Sequence, residues 1–262
     1  MQGIDTAVIL AAGPNERLKN ILVDKPKGFL EIAGVCLIER SLRQLTSIGV
    51  ENLIIVTGYR AEHYEALAKR WPGVRTIRNN SHAESGSMYS LYCTRGYVQD
   101  TFLLLESDLI YERRALEALL AFPGSNAILV SGFTHAGDEV FIGANGSRIH
   151  KMSKQRTELQ NVIGELVGIS KISPEMFQAM IEYAESYFRN TLRLDYEDCI
   201  NGITEATEVF FSKIEDLIWT EIDDPFHLQR AKQHILPRIL KKERHEQKAQ
   251  YIVKSQAGNN HR

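Results

Sequence analysis

Short, wholly apolar runs alternate along this chain with segments whose apolar residues recur every three or four positions. Ala7-Val8-Ile9-Leu10, Leu53-Ile54-Ile55-Val56 and Phe102-Leu103-Leu104-Leu105 have no polar face, the pattern of strands buried on both sides. Leu37, Ile38, Leu42 and Leu45 instead share one helical face that stops at Gly49, and residues 62–70 predict a shorter helix closed by Trp71-Pro72-Gly73. Further strands are predicted over 74–77 and 126–131 and a helix over 112–121. This order predicts an α/β fold: a Rossmann-like, mostly parallel sheet with helices on both faces.

The pattern changes at Gly132. Residues 132–160 combine Gly-rich turns, alternating segments around 140–142 and 148–152, and a polar run rich in Lys and Arg. They predict a β-ribbon insertion standing above the sheet as a lid. Core character returns over 164–172, Ser173-Pro174 opens a long helix to 189, and another helix is expected over 197–205. Strands over 208–213 and 217–222 precede a closing helix over 225–240, which Pro237 is expected to kink or end early. Ser87 is placed as the N-cap of a helix carrying Met88, Leu91 and Tyr92 on one face, and 28–32 as a brief extended piece. Beyond Leu240 the chain is charged, then polar, without apolar period. One domain is therefore expected over 1–240, with a linker or tail over 241–262 that raises fusion to a second enzyme domain.

Charge and composition narrow the class. Lys plus Arg (31) nearly balance Asp plus Glu (33), so the overall basic field of a nucleic-acid binder is missing, while a local basic pocket for a small anion remains compatible. With 44% apolar and 24% charged residues, the chain falls among ordinary globular proteins. Cys36, Cys93 and Cys199 form no C-x-x-C pair, which argues against a zinc site or disulfide framework and for thiols in a reducing compartment. No run approaches the length of a membrane span and no signal-peptide pattern opens the chain, so a cytoplasmic location without membrane partners is expected.

Candidate chemistry gathers at predicted strand ends. The first strand stops at Ala11-Ala12-Gly13, where small residues admit an anion close to the backbone and Gly13 suits the positive φ that aims several N–H groups at one point. Arg17 can fork two phosphate oxygens and Lys27 brings a movable point charge. Ligands of open parallel sheets bind beyond the carboxyl ends of the strands, and other such ends carry Glu106 and Asp108, and Glu221-Ile222-Asp223-Asp224. Asp108 and Asp223 facing a basic loop suit Mg²⁺, which takes one or two carboxylates and completes its octahedron with phosphate oxygens and water. Taken singly, Asp108 equally suits a cap before Glu112, and Asp223 or Asp224 the N-cap of the last helix. Together with Arg17 and Lys27 they favour metal-assisted nucleotide chemistry.

The segments LAAGPNERL (10–18), KPKGFLEIAG (25–34) with LIERSLRQL (37–45), NNSHAESGSMYSLY (79–92), ESD (106–108) and EIDDPFHL (221–228) resemble a known set of motifs. They are similar to those of the nucleotidyltransferases that couple a nucleoside triphosphate to a phosphorylated small molecule. Among these, the chain most resembles bacterial cytidylyltransferases acting on phosphocholine and on 2-aminoethylphosphonate. The resemblance runs from Thr6 to about Leu240 and implies a nucleotide-diphospho-sugar transferase type of fold, with CTP and a small phosphonate or phosphate acceptor as partners and Mg²⁺ as cofactor. It implies that Leu10, Ala11, Ala12, Gly13 and Glu106 border the nucleotide and that Ser85, Gly86 and Ser87 lie beside the cytosine. It further implies that Arg17 and Lys27 act catalytically on the phosphates and that Asp108 and Asp223 hold the metal. Two positions depart from the family pattern. Asn15 replaces a glycine, tolerable because Asn visits the left-handed region, and Glu16 replaces a small hydroxyl residue and must point away from a triphosphate.

For the acceptor, a quaternary ammonium calls for an aromatic cage and a primary ammonium for carboxylates. Val140 stands where a choline-type member would carry a cage Trp, within Asp138-Glu139-Val140-Phe141, and Leu194-Asp195-Tyr196-Glu197-Asp198 offers one aromatic among three acids. Glu139, Tyr196 and Asp198 are the acceptor-binding candidates and favour aminoethylphosphonate over phosphocholine, although Tyr196 and Asp198 also suit capping and packing. Lys151, Lys154 and Arg156 either hold the acceptor's phosphonate or form a solvated charge run. Rival readings are a sugar-1-phosphate nucleotidyltransferase, which would need sugar-hydroxyl partners in the lid, and a nucleotide-sensing domain without turnover. A dinucleotide-binding dehydrogenase is excluded, because the first turn holds a single glycine and the second strand ends in Thr57-Gly58 instead of an acid.

Overall fold

The computed structural model describes residues 3–245. The apolar run at the start forms β1 (Thr6–Ala11), followed by a long loop with single turns at Glu16–Leu18 and Lys27–Phe29. A two-stranded hairpin, β2 (Glu31–Ile32) and β3 (Val35–Cys36), leads into α1 (Leu37–Ser47), so the piece expected to be extended over 28–32 begins instead as a turn. Then come β4 (Asn52–Thr57), α2 (Ala61–Ala68), β5 (Val74–Arg78), α3 (Ser87–Tyr92) and β6 (Phe102–Glu106). These strands form the parallel half of the sheet, in the order β6-β1-β4-β5. The chain first moves from β1 to β4 and β5, then returns to the other side of β1. That reversal opens a crevice at the carboxyl ends of β1 and β6.

The remaining elements are β7 (Leu109–Tyr111), α4 (Arg114–Ala121), β8 (Ala127–Ser131), β9 (Phe141–Asn145), β10 (Arg148–Ser153), β11 (Val162–Ile172), α5 (Pro174–Phe188), α6 (Tyr196–Ile203), β12 (Phe211–Ile214), β13 (Trp219–Glu221) and α7 (Pro225–Arg230). The expected ribbon exists as β9 and β10 but does not stand above the sheet. It continues the sheet edge through β11, which pairs antiparallel with β6, β8 and β9. β11 can serve three neighbours because a bulge between Leu166 and Ser170 redirects it, with Gly168 at φ 76°.

Alternate residues of β1 feed opposite faces, as a strand's period of two requires. Val8 and Leu10 join the core under α3, α5 and α6, whereas Ala7, Ile9 and Ala11 join the core under α1, α2 and α4. A third core, with Leu18, Leu22, Leu228 and Ile235, lies between the first loop and the terminal helix. That helix does not end at Pro237: residues 225–245 are helical throughout, with a π-turn over Ala231–Ile235 in which the Leu236 N–H bonds the Ala231 carbonyl. The wider turn thus lies directly before Pro237, whose ring and missing N–H disfavour a regular α-turn. Residues 241–245 of the expected tail are thus a docked helix end, where Lys242 meets Glu112 at 2.6 Å, and residues 246–262 lie outside the described residues. Among the described residues, no helix is long and apolar enough to cross a membrane.

Candidate active site

A cavity of about 320 Å³ opens at the crevice above β1 and β6. One wall is the strand end Leu10-Ala11-Ala12-Gly13, and the facing wall is the segment Ser85-Gly86-Ser87 at the start of α3. That segment is held from below: buried Asn79 donates to Ser85 Oγ (2.9 Å) and Ser90 Oγ (3.0 Å). From the side, Gly86 N–H bonds the Leu192 carbonyl (2.9 Å), and a Cβ at Gly86 would meet the Leu194 carbonyl at 2.3 Å, so only glycine permits the approach. Ser87 does not cap its own helix. Its hydroxyl donates to Asp195 Oδ1 (3.1 Å) and accepts the Tyr196 N–H (2.9 Å), which locks the starts of α3 and α6 together; Gly86 occupies the N-cap.

The first loop is stapled by Asn15, whose buried amide donates to the carbonyls of Leu22 (3.2 Å) and Lys25 (2.8 Å). Asn15 has φ −105°, and Gly13 is likewise outside the left-handed region with open space about it. The cradle expected from positive φ at these positions is therefore not the device used: the side-chain staple shapes the loop. Glu16 points outward to Lys19 (3.6 Å), away from the cavity.

Lys27 lies between two carboxylates from different elements. Its Nζ is 3.0 Å from Asp108 Oδ2 and also bonds Asp223 Oδ1, while Arg17 Nη2 reaches Asp223 Oδ2 at 3.1 Å. Burial works against the ammonium, but Asp108 and Asp223 outweigh it and hold Lys27 above the usual lysine range. Burial likewise opposes Asp223, and Lys27 and Arg17 outweigh it, keeping that carboxyl below its usual range. Asp108 and Asp223 meet because β13 pairs antiparallel with β7 and the Ile222 N–H bonds the Asp108 carbonyl (3.0 Å).

Behind this pair stand more acids than cations. Burial and then Asp108 push Glu106 up to about 7, and its Oε1 accepts the Tyr196 hydroxyl at 2.6 Å. Burial and the neighbouring carboxylates also push Glu221 well up. Oxygens of Glu106, Asp108 and Glu221 lie within 4.8 Å of one another, a hard donor set of under-neutralised charge that fits a divalent cation. Asp223 belongs to a separate group with Asp138 and His227, so the expected ligands Asp108 and Asp223 are joined through Lys27 and not in one donor set.

A second cavity, of about 110 Å³, shares Glu106, Glu197 and Glu221 with the first. Its other acids are Asp138, Glu139 and Asp223. Glu197 is pushed up to about 8 by burial and by Glu106, and its Oε2 is buried without a hydrogen-bond partner. Trp219, from β13, supplies an aromatic wall.

Residues 7–163, more than half of the chain, match the model of the MobA-like NTP transferase domain. The chain belongs to this family. It is 26% identical over 239 residues to the "Bifunctional IPC transferase and DIPP synthase" of Aquifex aeolicus, covering 91% of this chain and 53% of that protein. It is 23% identical over 221 residues to the 2-aminoethylphosphonate cytidylyltransferase of Lancefieldella rimae, covering 83% and 87% respectively. The structure of the inositol-1-phosphate CTP transferase from T. maritima superposes with a TM-score of 0.76 at 21% identity, covering 90% of this chain and 96% of that one. Thus the chain spans about half the length of the bifunctional relatives.

In this MobA-like transferase domain, the cavity places Leu10, Ala11, Ala12, Gly13, Ser85, Gly86, Ser87 and Glu106 along the first pocket, together with Lys27, Asp108 and Tyr196. Arg17 lines neither pocket and is paired with Asp223. Glu139 lines the second pocket, yet backbone N–H groups of Gly137, Glu139 and Ala136 outweigh its burial and hold its carboxyl below the usual range. Its charge is committed to its own loop. Asp198 is exposed and outside both pockets; one position earlier on α6, Glu197 faces both. Lys154 borders the second pocket, whereas Lys151 pairs with Glu158 (2.9 Å) and Arg156 stacks over Phe133 (4.7 Å). Sequence reasoning missed Glu197 and undervalued Glu221; the spacing of Glu221 and Asp223, two apart at a strand end, was the available signal for the latter.

Proposed function

We propose that this domain transfers a cytidylyl group from CTP to a small phosphonate or phosphate acceptor bearing a primary ammonium, of the 2-aminoethylphosphonate class. The observation that carries this reading is the second cavity: carboxylates facing inward next to the nucleotide cavity, including the unpartnered Glu197. An ammonium supplies three donors to such a wall. The likeness to an aminoethylphosphonate cytidylyltransferase supports the same acceptor. Trp219 alone is one face of an aromatic box, which weighs against a quaternary ammonium. A polyol phosphate is the second reading, since carboxylates also accept sugar hydroxyls and the T. maritima neighbour acts on inositol-1-phosphate.

In this reading the acceptor's anionic oxygen attacks the α-phosphorus of CTP and pyrophosphate leaves. The nucleophile is already ionised at neutral pH, so the residues serve to bring two anions together. Lys27 would offset the charge that builds on the α-phosphoryl group and the leaving group, while Arg17, outside both pockets, pairs with Asp223 beside it. Asp108, with Glu106 and Glu221 beside it, would hold Mg²⁺, which would polarise the phosphoryl oxygens and offset charge on the departing pyrophosphate. The test is pyrophosphate release with Mg²⁺ and CTP, comparing 2-aminoethylphosphonate, inositol-1-phosphate and phosphocholine. Aminoethylphosphonate is expected to give the highest kcat/KM, and a preference for either other acceptor overturns that assignment.

A further inference from the structure

His227 is buried, borders neither cavity, and yet touches residues tied to both. Its Nδ1 faces the backbone N–H of Asp223 at 3.4 Å, so Nδ1 must be the acceptor and the ring hydrogen sits on Nε2. Nε2 lies 3.5 Å from Asp138 Oδ1. Asp138 is on the wall of the acceptor cavity, whereas Asp223 bonds Lys27 and Arg17 on the nucleotide side. The same tautomer argues against a second metal site here, although Asp138, Asp223 and His227 are clustered within 4.8 Å. A protonated Nε2 cannot ligate, and both Asp223 oxygens already face cations.

We infer that His227 is a positioning residue that clamps the acceptor-side loop, through Asp138, to the segment carrying Asp223, and so sets the distance between acceptor pocket and reacting phosphate. The loop bearing Asp138 is also held at Thr134, whose N–H bonds Glu165 (2.9 Å) and whose carbonyl accepts from Arg230 (3.2 Å), and at Val140, whose carbonyl accepts the Leu166 N–H (2.8 Å). These bonds fix the backbone on either side of Asp138, and His227 meets its carboxylate. The start of α7 does not depend on the ring, because Asp224 caps it by accepting the backbone N–H of residue 227 (2.8 Å). Substitutions of the ring therefore separate clamping from folding.

The inference rests on the two-cavity reading, and its test is a cycle with CTP and 2-aminoethylphosphonate, or whichever of the three acceptors the wild type turns over. His227→Asn keeps a short acceptor near the Nδ1 position but cannot reach Asp138. It is expected to raise the acceptor KM about tenfold while the CTP KM stays within about twofold. His227→Gln, whose amide extends to the Nε2 position, is expected to restore most of the acceptor KM. In an Asp138→Ala background, His227→Asn is expected to add less than about twofold. Additive effects, an equal rise in the CTP KM, or failure of Gln to rescue overturns the clamp. A readout free of any acceptor is the long-range ¹H–¹⁵N spectrum of the protein alone. It is expected to show the His227 proton on Nε2, with a shift that moves in Asp138→Ala; a proton on Nδ1 overturns the clamp whichever acceptor proves correct.

Discussion

At the scale of single residues, the site turns on one cation between two carboxylates. Lys27 is held by Asp108 and Asp223, and Arg17 extends the same line outward. Replacing Lys27 by Ala removes the cation between Asp108 and Asp223, leaves the two acids facing each other and, in the proposed reaction, takes away the charge opposite the α-phosphoryl group. Lys27→Ala and Asp108→Ala are each expected to lower kcat about a hundredfold or more, measured as pyrophosphate release at saturating CTP, with near-normal turnover refuting the role. These residues were legible because their motifs are local: strand end, loop and basic residue lie within one short segment. Glu197 was not. Successive residues on a helix point about 100° apart, so only one of Glu197 and Asp198 can face the cavity, and the phase of α6 depends on Tyr196 being buried against Glu106.

At the scale of elements, β11 is the piece that the site depends on and that periodicity described least. Its apolar run predicted only a return to the core over 164–172, and the bulge that lets it pair with β6, β8 and β9 depends on Gly168. A Cβ there would meet Glu106 Oε2 at 2.7 Å, at a φ of 76° that side chains rarely adopt. Gly168→Ala is expected to destabilise the fold by about 1–3 kcal/mol in urea unfolding and to displace Glu106, raising the CTP KM as well. Unchanged stability and KM would mean that the bulge absorbs the methyl group. The ribbon was misplaced above the sheet for a related reason: alternation identifies β9 and β10 as strands, but their partner β11 is a non-local choice. Pro237 misled in the same way, since the helix runs on past it through a π-turn over Ala231–Ile235 packed in the third core.

At the scale of the whole molecule, the terminal helix is fastened to the sheet by Glu112, a buried carboxylate that accepts from Arg114 (2.6 Å), Lys242 (2.6 Å) and the Ile218 N–H (3.0 Å). Burial opposes its charge, and these donors outweigh it and hold the carboxyl below the usual range. A depressed carboxyl contributes stability above its unfolded pKa, near 4.3, and loses it as pH falls through the lower folded value. Glu112→Gln is expected to cost about 2 kcal/mol at neutral pH, with the gap from wild type narrowing in the acid limb below that range. A gap independent of pH would remove the linkage. By itself, the order of apolar strands and amphipathic helices determined the α/β class, the crevice above β1, and the motif residues that border it, because each depends on neighbours a few positions away. Only the tertiary structure decided that β7 and β13 pair and so bring Glu106 and Asp108 against Glu221 and Asp223, and that Glu197, not Asp198, faces the two cavities. It also decided that His227 spans from Asp223 to Asp138. Apart from the local contact of His227 with Asp223, each of these joins residues about 90 to 115 positions apart, a separation at which only the closing of the sheet and the core selects the partner.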